Sequence, residues 1–404
     1  MTFINGGVTA PKGFRAAGIH CGIRKNKNKK DLALIVSDVK TAAAAVHTQN
    51  LVKGAPNTVT ARHLENGTAQ AVICNSGIAN TCAFDGVEKA VGMAKLAAAA
   101  LNIDPSDVIV GSTGVIGPSI DLAPIEAGLP ELAAALSYKG SGEAAEAILT
   151  TDTVKKEIAI EFTLGGKICV LGGIAKGSGM IAPNMATLLC FLTTDAAVSA
   201  DMLRQALAET VGDTFNMLSV DGDTSTNDMV TVMANGMAGN APVTEKGADY
   251  AAFIEALNAI CVEFCRVLAA DGEGASKLLE CAVSGAVSIT DAKLVAKAVI
   301  GSSLVKAAMF GADANSGRVL CAIGYAGAAV DVSKVDVAFG STAGRIEVCK
   351  DGAILLIDED LAKKILTEKE ILIDIRLHDG EVAAKAWGCD LTYDYVKING
   401  DYRS

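Results

Sequence analysis

The sequence predicts an α/β protein, and the prediction depends on the alternation of two apolar patterns. Short apolar runs at residues 32–36 and 70–74 are typical of strands buried on both faces. The Ala-rich segment 85–101 that follows has the composition and spacing of a helix. Beyond about residue 285, strands and helices alternate in a pattern that indicates a smaller unit. With 404 residues and 50% hydrophobic side chains, the chain can bury one large core or two moderate ones.

The remaining elements follow the same two patterns in chain order. Strands are expected at 107–110, 157–163 and 167–171, and helices at 142–149, 199–215 and 246–270, the second of these capped by Ser199. The predicted smaller unit has helices at 291–300 and 315–325 and strands at 345–349, 371–376 and 381–387. Two polar or small-residue segments, 75–77 and 111–118, are predicted to be the turn and the loop that end two of the strands.

Composition excludes several classes of partner and site. A net charge of −11 argues against nucleic acid or an anionic membrane surface as a partner. No apolar stretch approaches the roughly 20 residues that span a bilayer, and residues 1–14 lack the order of a signal peptide, so a cytoplasmic protein is expected. The chain has 11 cysteines, an odd number, and no two of them form a Cys-x-x-Cys pair. This pattern favours reduced thiols over a disulfide framework. The spacing of the histidines promotes neither a zinc site nor a triad; they are His20, His47, His63 and His378.

The stretch 176–192 contains the strongest candidate for chemistry, Thr187. It begins as a glycine-rich turn, passes Pro183, and becomes a continuous apolar run that is bounded by Asp195. Thr187 therefore lies where a loop meets a buried strand, a position that fixes a hydroxyl and leaves it accessible. One interpretation is an ordinary β-branched residue at the start of a core strand. The other is a nucleophile that becomes its own base once the Ala186–Thr187 bond is cut, because a free α-amine has a pKa of about 7.7–8.0.

Two further sites, a phosphate-binding loop and a calcium-binding loop, are rejected because required residues are missing. A phosphate loop that begins at Gly172 would need Lys-Ser/Thr where Ser178-Gly179 stands. A calcium loop in the segment 219–232 would need glycine at Thr226 and glutamate at Val232.

The run Lys176-Gly177-Ser178-Gly179-Met180-Ile181-Ala182-Pro183-Asn184-Met185-Ala186-Thr187-Leu188-Leu189 resembles the self-cleavage segment of the glutamate N-acetyltransferase/ornithine acetyltransferase family of arginine biosynthesis. The segment 75–80 is similar to a second family motif, with Ile78 where asparagine is expected. Residues 395–404 resemble the end of the family chain. The resemblance therefore extends over essentially the whole sequence.

The resemblance implies roles for individual residues. Thr187 would be the nucleophile, and the Thr113 hydroxyl and Gly114 amide would stabilise the oxyanion. The resemblance also implies six substrate contacts, which are Thr150, Lys176, Thr187, Glu273, Asn399 and Ser404. A lysine suits a substrate carboxylate and a glutamate suits the side-chain ammonium of ornithine.

The resemblance also implies an architecture and an activity. The fold would have two central β-sheets flanked by helices, an α/β/β/α sandwich, with a catalytic domain at 1–284 and a smaller C-terminal α+β domain at 285–404. Self-cleavage would give an α chain, 1–186, and a β chain, 187–404, assembled as α2β2. The enzyme would move acetyl from N2-acetylornithine to L-glutamate by a ping-pong mechanism, without metal or cofactor, and acetyl-CoA would be an optional second donor.

Two other functions stay open on the sequence. Self-processing amidases and aminopeptidases also use an N-terminal nucleophile, and they pass the acyl group to water. A non-enzymatic binding scaffold would keep the chain intact. The first alternative predicts release of ornithine without glutamate, and the second predicts a single uncut band on a denaturing gel.

Overall fold

The computed structural model describes residues 1–182 and 188–400, and these residues form two compact units. Unit 1 comprises the described residues of 1–177, 188–212 and 224–264. Unit 2 comprises those of 178–182, 213–223 and 265–400. Each unit contains one mixed β-sheet with helices packed on it.

The strands of the described chain are β1 (Thr2–Ile4), β2 (Phe14–Ile19), β3 (Leu32–His47), β4 (Thr68–Ile78), β5 (Val108–Val115), β6 (Lys156–Leu164), β7 (Lys167–Lys176), β8 (Leu189–Thr194), β9 (Leu218–Ser219), β10 (Met229–Ala234), β11 (Leu278–Ala286), β12 (Asp336–Ser341), β13 (Gly344–Lys350), β14 (Ala353–Ile354), β15 (Glu370–Arg376) and β16 (Val382–Cys389). The α-helices are α1 (Ala55–His63), α2 (Gly86–Leu101), α3 (Ala123–Ala134), α4 (Ser141–Ala147), α5 (Ala200–Val211), α6 (Ala248–Ala270), α7 (Ile289–Gly301), α8 (Ser303–Phe310), α9 (Ser316–Gly324), α10 (Glu359–Leu366) and α11 (Tyr393–Asn399).

The sheet of unit 1 is built around the long strand β3. The strand order is β1-β6-β7-β8-β10-β3-β4-β5, and β2 pairs with the first half of β3 while β10 pairs with its second half. The pairs β8–β10 and β4–β5 are parallel, and the other pairs are antiparallel. The parallel pair β8–β10 aligns the start of β8, which directly follows the predicted cleavage segment, with the start of β10.

Strand β3 shows why the central strands are apolar on both faces. Ala33 and Ile35 belong to one hydrophobic cluster, whereas Leu32, Leu34 and Val36 belong to another. Successive strand side chains point to opposite faces, so an unbroken apolar run fills two cores. Helices α1, α2 and α3 cover one of them, and α4 packs against β2 and β3.

The sheet of unit 2 has the order β14-β13-β12-β15-β11-β16-β9. The pairs β11–β15 and β16–β9 are parallel, and the others are antiparallel. Helix α7 packs against β11 and β16, and α10 packs against β12 and β13. Of the described helices, none is both long enough and apolar enough to cross a bilayer.

The prediction of an α/β protein with two central sheets flanked by helices is confirmed. The domain boundary after residue 284 stays a prediction. Two local predictions are wrong, because 75–77 lies inside β4 and 111–115 lies inside β5, where the two strands pair in parallel. Polar side chains there have partners inside the fold: Asn75 Nδ2 donates to Ile78 O, and Ser76 Oγ donates to Ala147 O. Asn75 Oδ1 and Ser112 Oγ, in contrast, have no hydrogen-bond partner among the described residues. Pairing between the two strands therefore outweighs the local preference of these residues for turns.

Candidate active site

Lys176 ends strand β7 and is buried, although a lysine beside a glycine turn is usually exposed. Its residue is 9% exposed, and its ammonium donates a hydrogen bond to Thr113 Oγ1 at 3.4 Å. The same ammonium lies 3.9 Å from Asp152 Oδ2. A buried ammonium needs charge and hydrogen-bond partners, and a hydroxyl and a carboxylate provide them here. We call Thr113, Asp152, Lys156, Lys176 and Gly177 the lysine cluster.

Asp152 organises the lysine cluster. Oδ1 accepts from Lys156 Nζ at 2.8 Å and from Gly177 N at 2.7 Å, while Oδ2 accepts from Thr150 N at 3.0 Å. Burial by itself raises the pKa of Asp152, but the Lys176 and Lys156 ammoniums together outweigh burial and hold that pKa well below its ordinary value. The carboxylate is therefore ionised at neutral pH. It holds the backbone amides of Thr150 and Gly177 and lies beside the Lys176 ammonium, and the resemblance implies a substrate contact for Thr150 and for Lys176.

The predicted oxyanion residues, Thr113 and Gly114, lie in β5. Gly114 has φ +128°, and a Cβ placed there would overlap the backbone carbonyl of Gly77 on the neighbouring strand. Only glycine fits such a close approach in that conformation. Gly77 itself has φ +107°, and the pairing register shifts immediately after it. The two strands are thus irregular at this point, although neither forms the loop that the sequence predicts.

Glu273 is the centre of a second set of residues, in unit 2. It is 8% exposed, its backbone N donates to Ser178 O at 2.8 Å, and its Oε2 accepts from Asn399 Nδ2 at 2.7 Å. A Cβ placed on Gly179 would overlap the Glu273 carboxylate. We call Ser178, Gly179, Glu273 and Asn399 the glutamate cluster. It joins two of the predicted substrate contacts to the glycine-rich turn before the cleavage segment.

Asp221 holds the next part of that turn. Its carboxylate accepts from Met180 N at 2.6 Å and from Ile181 N at 2.8 Å, and Val220 N donates to Ile181 O at 2.6 Å. The Tyr395 hydroxyl of α11 donates to Asp221 Oδ2 at 3.3 Å. Burial and the adjacent Asp221 carboxylate raise the pKa of Tyr395, so the phenol stays protonated as a donor. The acidic segment that resembled a calcium loop therefore supplies a structural clamp for residues 180–181.

The structure thus brings the predicted residues together in two groups. Thr113, Thr150 and Lys176 meet around Asp152, and Asn399 meets Glu273. Gly114 lies one residue beyond Thr113 on β5. The predicted cleavage residues Ala186 and Thr187, and the predicted contact Ser404, lie outside the described residues.

Sequence reasoning missed Asp152 and Asp221. Asp152 carries a weak signal, because Lys156 follows at i+4, but a charged pair at that spacing is most often solvent-exposed. Asp221 was assigned to a turn without a partner. Both carboxylates act on the backbone of the 177–181 segment, more than 20 residues away in sequence, so local spacing gives no indication of the contact.

One cysteine, Cys74, lies near the lysine cluster. Cys74 is buried, and burial raises the pKa of its thiol to about 12, so it is protonated at neutral pH despite the nearby Lys176. Across residues 1–182 and 188–400, no group of three His, Cys, Asp or Glu side chains is arranged to hold a metal ion.

Comparison with known proteins identifies the family. The model of the ArgJ family matches residues 15–404. The chain belongs to the ArgJ family. The arginine biosynthesis bifunctional protein ArgJ of Symbiobacterium thermophilum is 52% identical over 100% of both chains. The protein of the same name from Bacillus subtilis is 47% identical over 99% of this chain and 97% of its own.

Two solved structures are also similar to this chain. The crystal structure of ArgJ from Bacillus halodurans is 46% identical and covers 52% of this chain and 96% of its own, with a TM-score of 0.49. The ornithine acetyltransferase of Mycobacterium tuberculosis, solved in complex with ornithine, is 37% identical and covers 46% of this chain and 99% of its own, with a TM-score of 0.42. Family membership confirms the resemblance that the 176–189 segment indicates.

Proposed function

We propose that the protein is an ornithine acetyltransferase and glutamate N-acetyltransferase of arginine biosynthesis, activated by its own cleavage. The observation that carries the proposal is the burial of a charged side chain in each of the two units. Lys176 presents an ammonium, and Glu273 presents a carboxylate whose partner among the described residues is the neutral amide of Asn399. A buried carboxylate is stabilised by a cation, and the side-chain ammonium of ornithine is one. Glutamate and acetylornithine both bring a carboxylate, which suits Lys176.

The first step is cleavage between Ala186 and Thr187. The Thr187 hydroxyl attacks the Ala186 carbonyl carbon, a C–O bond replaces the C–N bond, and the hydroxyl proton passes to the nitrogen. Water then opens the ester, which leaves a carboxylate on Ala186 and a free α-amine and hydroxyl on Thr187. The Asp221 clamp supports this step, because it holds the preceding residues 180–181 by two backbone hydrogen bonds.

The second step is acyl transfer by the new N-terminus. The α-amine takes the hydroxyl proton, and the oxygen attacks the acetyl carbonyl of N2-acetylornithine. The Thr113 hydroxyl and the Gly114 amide donate to the oxyanion, and the α-ammonium returns the proton to the leaving ornithine amine. Glutamate then binds to the acetyl-enzyme, and its amine takes the acetyl group in the reverse sequence. The steps require no metal and no organic cofactor.

Further parts of the proposal concern the assembly. The products of cleavage, α (1–186) and β (187–404), stay associated because strands from both share the sheet of unit 1; β7 lies before the cut and pairs with β8 after it. We propose an α2β2 assembly in the cytoplasm, in contact with neither nucleic acid nor membrane. Acetyl-CoA would serve as the second donor, and acetylation of glutamate from acetyl-CoA measures that activity directly.

The decisive experiment combines intact mass with turnover. The purified protein should give two masses that correspond to a cut between Ala186 and Thr187, whereas Thr187→Ala should give one mass and no acetyl transfer. An uncut wild-type chain that transfers acetyl groups would refute the mechanism. Incubation with acetylornithine, with and without glutamate, tests the hydrolase alternative. Ornithine release that does not depend on glutamate would favour an amidase.

A further inference from the structure

Arg24 is a partly buried cation that the proposed mechanism does not use, and its guanidinium reaches a peptide group beside the lysine cluster. It begins the basic segment 24–30, and basic side chains are most often exposed to solvent. The Nη2 atom of Arg24 instead donates to the carbonyl oxygen of Leu149, two residues after the end of α4. The next residue is Thr150, one of the implied substrate contacts.

Opposite charges hold the two ends of a single peptide group. The Leu149 carbonyl accepts from the Arg24 guanidinium, and the Thr150 amide of the same peptide bond donates to Asp152 Oδ2 at 3.0 Å. Hydrogen bonds to ionised groups are stronger than neutral ones, and the peptide group is planar. Fixing both ends therefore fixes the position of the Thr150 Cα and the direction in which its side chain leaves the backbone.

A buried carboxylate anchors the backbone of Arg24. Asp31 is fully buried; its Oδ2 accepts from Arg24 N at 2.9 Å and from Gly22 N at 3.2 Å, and its Oδ1 accepts from Cys21 N at 2.6 Å. Asp31 is in turn tied to β4, because Ser76 N donates to Asp31 O at 2.9 Å. The start of the basic segment is therefore fixed to a strand of the sheet.

The side chain of Arg24 passes over the place where β4 and β5 are irregular. A Cβ placed on Gly77 would meet Arg24 Cγ at 2.9 Å, and a Cβ placed on Gly114 would overlap the Gly77 carbonyl. The apolar stem of Arg24 thus lies against the backbone that neighbours the predicted oxyanion residue. This contact limits the paths open to the stem, and the guanidinium ends at the Leu149 carbonyl.

Resting on the function proposed above, in which Thr150 contacts the substrate, we propose that Arg24 is a positioning residue for the binding of acetylornithine. Its guanidinium holds the Leu149–Thr150 peptide group so that the Thr150 hydroxyl meets the substrate. A guanidinium that only capped the carbonyls after α4 would contribute stability and leave substrate binding unchanged. The two roles differ in whether the effect of Arg24 on KM depends on Thr150.

The experiment is a double-variant cycle between Arg24→Met and Thr150→Val. Methionine keeps an apolar stem without the guanidinium, and valine keeps the shape of threonine without the hydroxyl. Arg24→Met alone should raise KM for acetylornithine about tenfold or more and change kcat less than about threefold, because the contact is made equally in the ground and transition states. In the Thr150→Val background, Arg24→Met should change KM less than about twofold. An unchanged KM in the single variant, or an equal rise in both backgrounds, overturns the proposal.

Arg15→Met is the matched control. Arg15 is also a partly exposed arginine of unit 1, and its Nε lies 2.9 Å from Asp38 Oδ1. An ion pair of this kind contributes little, so the variant should keep the KM and kcat of the wild type. A rise in KM as large as that of Arg24→Met would show a general effect of positive charge and would overturn the positioning role.

Arg24→Lys is the second variant, and it keeps a cation on a side chain whose donor lies one bond nearer the backbone. Its KM should lie between those of the wild type and Arg24→Met, because an ammonium does not reproduce the reach and planar geometry of a guanidinium. If Arg24→Met does not fold, Arg24→Lys enters the same cycle. A KM equal to that of the wild type, or a rise that persists in the Thr150→Val background, then overturns the proposal.

Intact mass is measured before the kinetics. Arg24 variants that stay uncut would assign Arg24 to cleavage and overturn its role in binding. A wild-type chain that is uncut or transfers no acetyl group would end the proposed function instead, so the two failures are distinguishable.

Discussion

Removing the charge of Asp152 tests whether the lysine cluster is the electrostatic support of the site. Asp152→Asn keeps the shape of the side chain and leaves two lysines without their carboxylate. The Lys156 side chain is fully buried, and that of Lys176 is 11% exposed. Breaking a buried pair by removing one partner costs about 3–5 kcal/mol, because the remaining charge stays desolvated. We expect a loss of that size in the free energy of unfolding at pH 7.

The pH dependence of that loss has a defined sign. The pKa of Asp152 is lower in the folded chain than its unfolded value of about 3.9. The carboxylate therefore contributes its full stabilisation above about pH 3.9, and the contribution disappears as the pH falls toward the folded pKa. The difference in stability between the wild type and Asp152→Asn should be constant near neutral pH and should shrink in acid.

Urea unfolding followed by circular dichroism measures the stability, and steady-state kinetics measures the site. The double variant Asp152→Asn/Lys156→Met is the control, because removing both members of a buried pair is far less costly than removing one. It should regain much of the stability. KM for acetylornithine and for glutamate should stay raised about tenfold or more in both variants, because the Asp152 carboxylate no longer holds the Lys176 ammonium in place. A loss below about 1 kcal/mol in the single variant, or no recovery in the double variant, would refute this account of the cluster.

Three further predictions concern single residues. Gly179→Ala should raise KM for acetylornithine, because the added methyl group overlaps the Glu273 carboxylate; an unchanged KM would show that the carboxylate has room to move. Glu273→Ala should reduce kcat/KM for acetylornithine more than for glutamate, and equal losses would exclude recognition of the ornithine ammonium. Gly114→Ala keeps the amide N–H, but the added methyl group overlaps the Gly77 carbonyl and displaces that N–H. We therefore expect kcat to fall about 100-fold or more, the usual effect of losing an oxyanion donor, in a chain that intact mass shows to be cleaved. Activity equal to wild type in this last variant would remove Gly114 from the mechanism.

Local sequence patterns predicted most of the strands that form the two sheets and most of the helices that pack on them. The apolar runs in β3, β4 and β8 are found as buried strands, and Ser199 caps α5 by accepting from Met202 N. The exceptions are polar or glycine-rich segments. Asn75–Gly77 and Gly111–Val115 look like turns because their residues favour turns in isolation, yet they extend two neighbouring strands. Pairing with a neighbouring strand outweighs the local preference, and a sequence window contains no information about that neighbour.

The residue types of the candidate site gave little indication of where their side chains lie in the fold. Lys176 and Glu273 were expected from resemblance, while their residue types alone favoured exposed positions. Their burial depends on contacts between residues distant in sequence: Thr113 and Lys176 are 63 residues apart, and Glu273 and Asn399 are 126 apart. Only the folded chain brings such pairs together.

The sequence by itself identified the family of this protein, because a glycine turn, a proline and a threonine before an apolar strand stand in a run long enough to be distinctive. It also determined where the strands lie, since alternation and apolar length are local properties. The tertiary structure decided which carboxylates serve the predicted site. Asp152 and Asp221 reach the backbone of residues 177–181 through hydrogen bonds between residues distant in sequence, and the charge of Asp152 matters because the packed core keeps water away from it.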